Sequence, residues 1–303
     1  MAVILAERMN ANESPETLAD LQAQTWAELG NAYRAADDLA NAEAALARAV
    51  DLAGHGTGDP LLLARLMDLT ASLYTEQRRF GEAHRLLDWI YAIYRHLGDG
   101  HLAARALISK GISVVLAAES EEALNLLQQG ILLADATRDP KLILSAVHAL
   151  LVSLVDCDRL TEARALLEAS RDLYTAQGER FDLLRARWLE GRIAGGLGQD
   201  REAERAFLQV RESFRKAELL YTTANVSLDL AAVWLRQGRI AEIKGLVDET
   251  VAIFRAHNIQ REAIAVLLML RDALRKDRAT VVLLKTVASE LQRLEQLPRP
   301  KAV

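Results

Sequence analysis

Six histidines, one cysteine and a large stock of carboxylates are the side chains of this sequence that could do bond chemistry. His55, His84, His96, His101, His148 and His257 include no His-Glu-x-x-His pair and no other paired-ligand spacing, so a zinc hydrolase has no basis. His96 and His101 straddle the helix-breaking run Gly98-Asp99-Gly100 and read as exposed helix-end residues. Cys157 stands alone, which excludes an intramolecular disulfide and a cysteine-built metal site; at a helix end it reads as an inert, half-buried thiol. Gly54-x-Gly56-x-Gly58 has the glycine density of a phosphate loop. It follows a helix rather than a strand and lacks the Gly-Lys-Ser/Thr ending, so it reads as a flexible linker. The carboxylates spread over solvent-facing positions. The expectation is a chain with no catalytic residues, no cofactor and no metal. Chemistry of a different kind is offered by Arg65, Arg105 and Arg185, which recur at multiples of forty residues. A guanidinium presents a planar fork of donors suited to carboxylates.

That recurrence points to the elements that must position the arginines. Trp26-Ala-Glu-Leu29-Gly30-Asn-Ala-Tyr33 places a large residue, a Leu-Gly pair and a Tyr on one helical face, and Ala42, Leu46 and Ala49 answer from a second helix. Gly30 and Ala42 are small where two helices must cross closely; Trp26, Tyr33 and Leu46 fill the space around the crossing. The pattern repeats. The small slot of the second helix reads Ala42, Ala83, Ala123, Ala163, Ala203 and Ile243, and four residues on come Leu46, Leu87, Leu127, Leu167, Phe207 and Val247. Seven residues after the slot lie Ala49, Ile90, Gly130, Ser170, Val210 and Thr250. In the first helices the small slot reads Gly30, Ala71, Gly111, Leu151, Gly191 and Ala231. Breaks fall in phase, among them Asp59-Pro60, Gly98-Asp99-Gly100, Asp139-Pro140 and Asn258, with Pro where helices start and Gly or Asn where they end.

Bulk properties agree. A chain of 303 residues with 26% charged residues, 5% aromatics and five prolines suits a soluble helical array better than one compact core. A net charge of −5 argues against a nucleic-acid surface, and the short basic clusters Arg78-Arg79 and Arg236…Arg239 read as solvated turn charges. No secretory signal opens the chain, and no apolar run reaches the roughly 18 residues that span a bilayer, so a cytoplasmic location is expected.

The Trp-x2-Leu-Gly-x2-Tyr … Ala motif resembles the tetratricopeptide-repeat (TPR) superfamily. The forty-residue unit is similar to the long repeats in the sensor region of MalT-type bacterial regulators and in kinesin light chains. The resemblance covers residues 15–296 and implies an all-α, right-handed superhelical solenoid of helix hairpins, with the first helices lining a concave groove. Residues 1–13 read as the end of a preceding helix or truncated repeat, 14–258 as six repeats, and 259–303 as a capping helix pair and tail. The half-unit at Met1 suggests a fragment or late domain of a longer protein.

On that frame the groove is lined by Arg65, Arg105, Ile108, Ile112, Val115, His148, Val152, Arg185, Trp188 and Arg192, an apolar floor flanked by arginines. Such a floor suits an amphipathic peptide with acidic groups or a small effector with an anionic group. Two alternatives stand beside it: each arginine pairs with an acid on a neighbouring helix, such as Asp68 or Glu190, and the apolar residues are buried by tight winding. The function implied by the resemblance is a non-enzymatic, peptide- or protein-binding scaffold with neither nucleic acid nor membrane as partner. The alternative is a ligand- or peptide-sensing regulatory domain of a larger bacterial signalling or transcription protein, with an N-terminal effector domain missing.

Overall fold

The computed structural model describes residues 14–295, and every regular element among them is an α-helix. The expectations for residues 1–13 and for the terminating Pro298 and Pro300 fall outside the described residues. The chain divides into two compact units, Met1–Cys157 and Asp158–Val303.

The first unit holds α1 (Pro15–Ala35), α2 (Leu39–Ala53), α3 (Pro60–Glu76), α4 (Phe80–His96), α5 (Gly100–Leu116), α6 (Ser120–Leu133) and α7 (Pro140–Asp156). Each helix packs on the next, and α3 and α5 each also touch the helix two places before and after them. The odd-numbered helices therefore share one layer, the arrangement of stacked hairpins. Their starts are written in the sequence. Ser14 Oγ accepts from Thr17 N (3.3 Å), Asp59 Oδ1 from Leu61 N (2.9 Å), Asp99 Oδ1 from Leu102 N (2.9 Å) and Asp139 Oδ1 from Leu142 N (3.0 Å). These side chains satisfy backbone donors that a first helical turn leaves open.

The ends are written as well. Asp37, Arg78 and Ala118 take φ of 60°, 59° and 64°, each five residues ahead of the fully buried Ala42, Ala83 and Ala123. The following amide closes the helix end by donating back five residues: Asp38 N to Tyr33 O (2.9 Å), Arg79 N to Tyr74 O (2.8 Å) and Glu119 N to Val114 O (3.1 Å). This six-to-one bond with a left-handed residue before it is the Schellman stop.

The second unit holds α8 (Leu160–Ala169), α9 (Arg171–Gln177), α10 (Arg180–Gly196), α11 (Asp200–Lys216), α12 (Leu220–Arg236), α13 (Ile240–Ala256), α14 (Arg261–Arg275) and α15 (Val281–Glu295). Asp158, Gly198 and Gly238 continue the left-handed turns, again five residues before Ala163, Ala203 and Ile243. α8 and α9 follow one another across Ser170, whose Oγ and N both donate to Leu166 O (2.6 and 3.0 Å). From α10 each helix packs on its successor, and α15 turns back to pack on α12 as well as α14. The last four helices thus form a closed ring. Leu284, Val287, Leu291 and Leu294 are the buried stripe of α15 and belong to the same core as Phe254, Leu267 and Leu230.

Helix crossings use the small slots. A Cβ on Gly30 would stand 2.8 Å from Leu46 Cγ, one on Gly111 2.7 Å from Leu127 Cγ, and one on Gly191 2.6 Å from Phe207 Cε1. The glycine of the first helix meets the residue four places beyond the alanine slot of the second, in both units. Missing side chains there let two backbones approach.

Candidate ligand-binding surface

In the first unit the layer of α1, α3, α5 and α7 carries the expected wall residues. Arg65 pairs with Glu28 of α1, and Arg105 Nη2 lies 2.6 Å from Asp68 Oδ2 of α3. Arg34 is held by Asn31 Oδ1 (2.9 Å from Nη2) and pairs with Glu76 of α3. Three guanidinium–carboxylate bridges therefore tie neighbouring helices of one layer, and Arg65 and Arg105 are not a ladder of open donors. Each has a carboxylate partner on a neighbouring helix, and for Arg105 it is the Asp68 anticipated.

The apolar residues separate into core and wall. Ile108 is 0% exposed and is no part of the wall: its Cγ1 fills the room over Gly130, where a Cβ would come within 2.6 Å. Ile112 and Val115 of α5 and Val152 and Val155 of α7 are half-buried at matching positions on adjacent helices, and Leu116 is 43% exposed. His148 is half-buried and has an interaction partner. This α5–α7 strip is the apolar floor in the form the structure gives it.

Behind the strip lies a polar cluster that sequence reasoning missed. Ser113, fully buried, receives a hydrogen bond from Thr75 Oγ1 (3.1 Å) and lies 3.1 Å from His84 Nε2. Burial, then the Lys110 ammonium, hold the His84 imidazole below its ordinary value. A serine beside a histidine has the makings of a nucleophile, yet a hydroxyl with no exposed surface meets no substrate. His101 is also buried rather than exposed, and its Nδ1 accepts from Asp135 N (3.2 Å), which anchors the turn after α6. The Gly54–Gly58 linker is tethered likewise: Asp20 Oδ2 accepts from Thr57 Oγ1 (2.5 Å) and Thr57 N (3.2 Å), and a Cβ on Gly56 would collide with that carboxylate.

In the second unit, α10 carries Arg185, Trp188 and Arg192. Arg185 is exposed and 3.7 Å from Asp182 of its own helix, while Glu190 is taken by Arg187 (2.5 Å). Trp188 Nε1 donates to Asp229 Oδ2 of α12 (2.6 Å), and its ring meets Phe214 edge-on at 6.2 Å. Arg192 is half-buried and partnered. Asn225 of α12, forty residues after Arg185, is 3% exposed. Its burial accompanies the return of α15 to α12.

Two arginines read as solvated turn charges are cross-links instead. Arg79 reaches Glu43 of α2 (2.6 Å) and Glu82 of α4 (2.6 Å) and stacks 3.9 Å from the Tyr74 ring centre. Arg239 repeats this 160 residues later with Glu204 (2.7 Å), Glu242 (3.0 Å) and Trp234 (4.8 Å). The signal in the sequence was Arg three residues before Glu at a turn, in phase with the period.

No protein-family model matches the sequence, and no curated protein matches it. A solved structure does: the crystal structure of a Rap protein complexed with competence and sporulation factor, at a TM-score of 0.68 and 12% identity, over 97% of this chain and 79% of that one. At that identity the likeness establishes the fold, a TPR-like helical repeat. No helix among the described residues is long and apolar enough to cross a membrane.

Proposed function

We propose that this chain is a non-enzymatic binding scaffold that holds a peptide or protein segment against the odd-numbered helices of its first unit. The observation that carries this reading is the α5–α7 strip. Ile112, Val115, Val152 and Val155 stay partly open, with Leu116 at 43%, on helices whose opposite faces are closed to solvent. Apolar side chains left open in register on two rigid neighbouring helices are what an apolar ligand face needs. The likeness to a Rap protein that was crystallised with a bound factor supports a binding role for the fold. In this reading residues 14–258 are six binding repeats and 259–303 a cap. Trp188 and Arg192 are further candidates for ligand contact in the second unit.

The test is selection of random dodecapeptides against the full chain, with Ile112→Glu and Val152→Glu as counter-targets. Enriched peptides should bind the parent chain and lose at least tenfold in affinity on either variant. Absence of enrichment, or enriched peptides indifferent to both substitutions, would refute the proposal.

A further inference from the structure

The charge of the two units differs sharply. Residues 14–157 hold eleven Lys and Arg against nineteen Asp and Glu, a net −8, whereas residues 158–295 hold twenty-three against twenty-one, a net +2. In the first unit, Arg34, Arg65 and Arg105 are each committed to a carboxylate of a neighbouring helix, so the wall arginines add no net positive field. The excess is negative, and part of it sits at one end of the apolar strip.

Glu119 follows Leu116 by three residues, and Glu121 and Glu122 open α6 directly behind it. All three are exposed and form no ion pair. Asp156, next to Val155 at the end of α7, accepts from Ser120 Oγ (3.4 Å). The C-termini of α5 and α7 lie at this edge together with the N-terminus of α6, whose first turn holds Glu121 and Glu122, so helix ends of both signs meet there. Arg78 also lies at this edge: its guanidinium donates to Leu116 O (3.3 Å) and lies over the Phe80 ring.

From this juxtaposition we infer that the partner of the α5–α7 strip is a cationic amphipathic peptide segment: apolar side chains seat on Ile112, Val115, Leu116, Val152 and Val155, and flanking lysines or arginines meet Glu119, Glu121 and Glu122. This rests on the peptide-binding reading above and reverses the acidic ligand that the arginine pattern alone suggests. The physical ground is complementarity. A partner carrying positive charge is drawn to a unit whose residues 14–157 carry a net −8 and fixed in orientation at the anionic end, and one of like charge is repelled at both stages.

The experiment uses the full chain and two fluorescein-labelled dodecapeptides with the same central leucines, valines and serines. One carries two lysines at each end, the other two glutamates. Fluorescence anisotropy at 50 mM and 500 mM salt should show the lysine peptide binding at least tenfold tighter at low salt, with most of the advantage lost at high salt. Combined Glu119→Gln, Glu121→Gln and Glu122→Gln should shrink the advantage several-fold, and Ile112→Glu should weaken the lysine peptide. Equal affinities, tighter binding of the glutamate peptide, or no measurable binding of either would overturn the inference. The peptide selection reports separately on the underlying function: recovered peptides that are neutral or acidic would leave the scaffold reading standing and remove this one.

Discussion

Gly191→Ala should destabilise the protein although it replaces a helix-weakening residue by the best helix former. Two terms oppose each other. Removing glycine from a helix interior gains about 0.8–1.0 kcal/mol in propensity. The new methyl would stand 2.6 Å from Phe207 Cε1, 2.8 Å from Cδ1 and 3.2 Å from Ala206 Cβ. Carbon pairs sit best at about 3.5–4.0 Å, so the ring must retreat by roughly 1 Å. Phe207 is 2% exposed within a packed core, and such overpacking costs about 1–3 kcal/mol or more. The net should be a loss of up to about 2 kcal/mol on those two terms. Gly245→Ala is the control in the same unit: Gly245 lies inside α13 with nothing within 4 Å of its added Cβ, so only the propensity gain of about 0.8–1.0 kcal/mol remains. Urea unfolding followed by circular dichroism should move the midpoint down for Gly191→Ala and up for Gly245→Ala. Adding Phe207→Val to Gly191→Ala reproduces the pairing at Ala231 and Val247. The double variant should be more stable than the sum of the singles implies by about 1 kcal/mol or more. Two glycine variants shifting in the same direction, or a strictly additive double variant, would refute the close-crossing argument.

Three further outcomes follow from the turns and the buried polar groups. Ala118→Gly should stabilise the protein by about 0.5–1 kcal/mol and raise the urea midpoint, because alanine at φ 64° bears a left-handed penalty of about 1–2 kcal/mol, partly offset by glycine's larger unfolded-state entropy. Gly56→Ala should destabilise the first unit by forcing Asp20 off Thr57, and its effect should shrink in an Asp20→Ala background when both are followed by urea unfolding. For His84 the folded value lies below the usual 6.5, so its contribution is intact above pH 6.5 and is lost as pH falls through the folded value; Glu122, Glu119 and Asp88 oppose the shift, and Lys110 adds to it. The parent chain should therefore lose stability relative to His84→Gln just below pH 6.5, and parallel pH profiles would exclude the contribution.

Most of the fold was legible because close helix crossing leaves a mark that few residue types can make. The rows of Gly30, Gly111 and Gly191 and of Ala42, Ala83 and Ala123 carry it. The stops of α1, α3 and α5 fall in phase with the period although Asp37, Arg78 and Ala118 occupy left-handed turns without being glycine. The break at Ser170 has no mark in the sequence: its hydroxyl-to-carbonyl bond recurs at Thr70 and Ser153 inside unbroken helices. The return of α15 to α12 is a long-range event. Its trace is the burial of Thr223, Asn225 and Ser227 on α12, which periodicity assigns to a surface no different from the earlier units. Ile108 shows the same limit locally. Its row also contains Asp68, His148 and Trp188, all partly open, yet Ile108 sinks into the core because the residue opposite it is Gly130.

The arginines show what spacing could have settled. Arg65–Glu28 and Arg105–Asp68 both join residues thirty-seven apart, one unit less one turn of helix, so each acid lies on the preceding helix of the layer within reach of the next guanidinium. A pair repeated in phase links neighbouring helices, and its two charges offset each other. On the proposed reading, recognition on this wall falls to groups outside such repeated pairs. In the first unit these are the α5–α7 aliphatic row and the carboxylates at its end, Glu119, Glu121 and Glu122. Counting charges on a repeat surface therefore misleads unless pairs at one period less a turn are removed first; with them removed, the sign of the expected ligand changes.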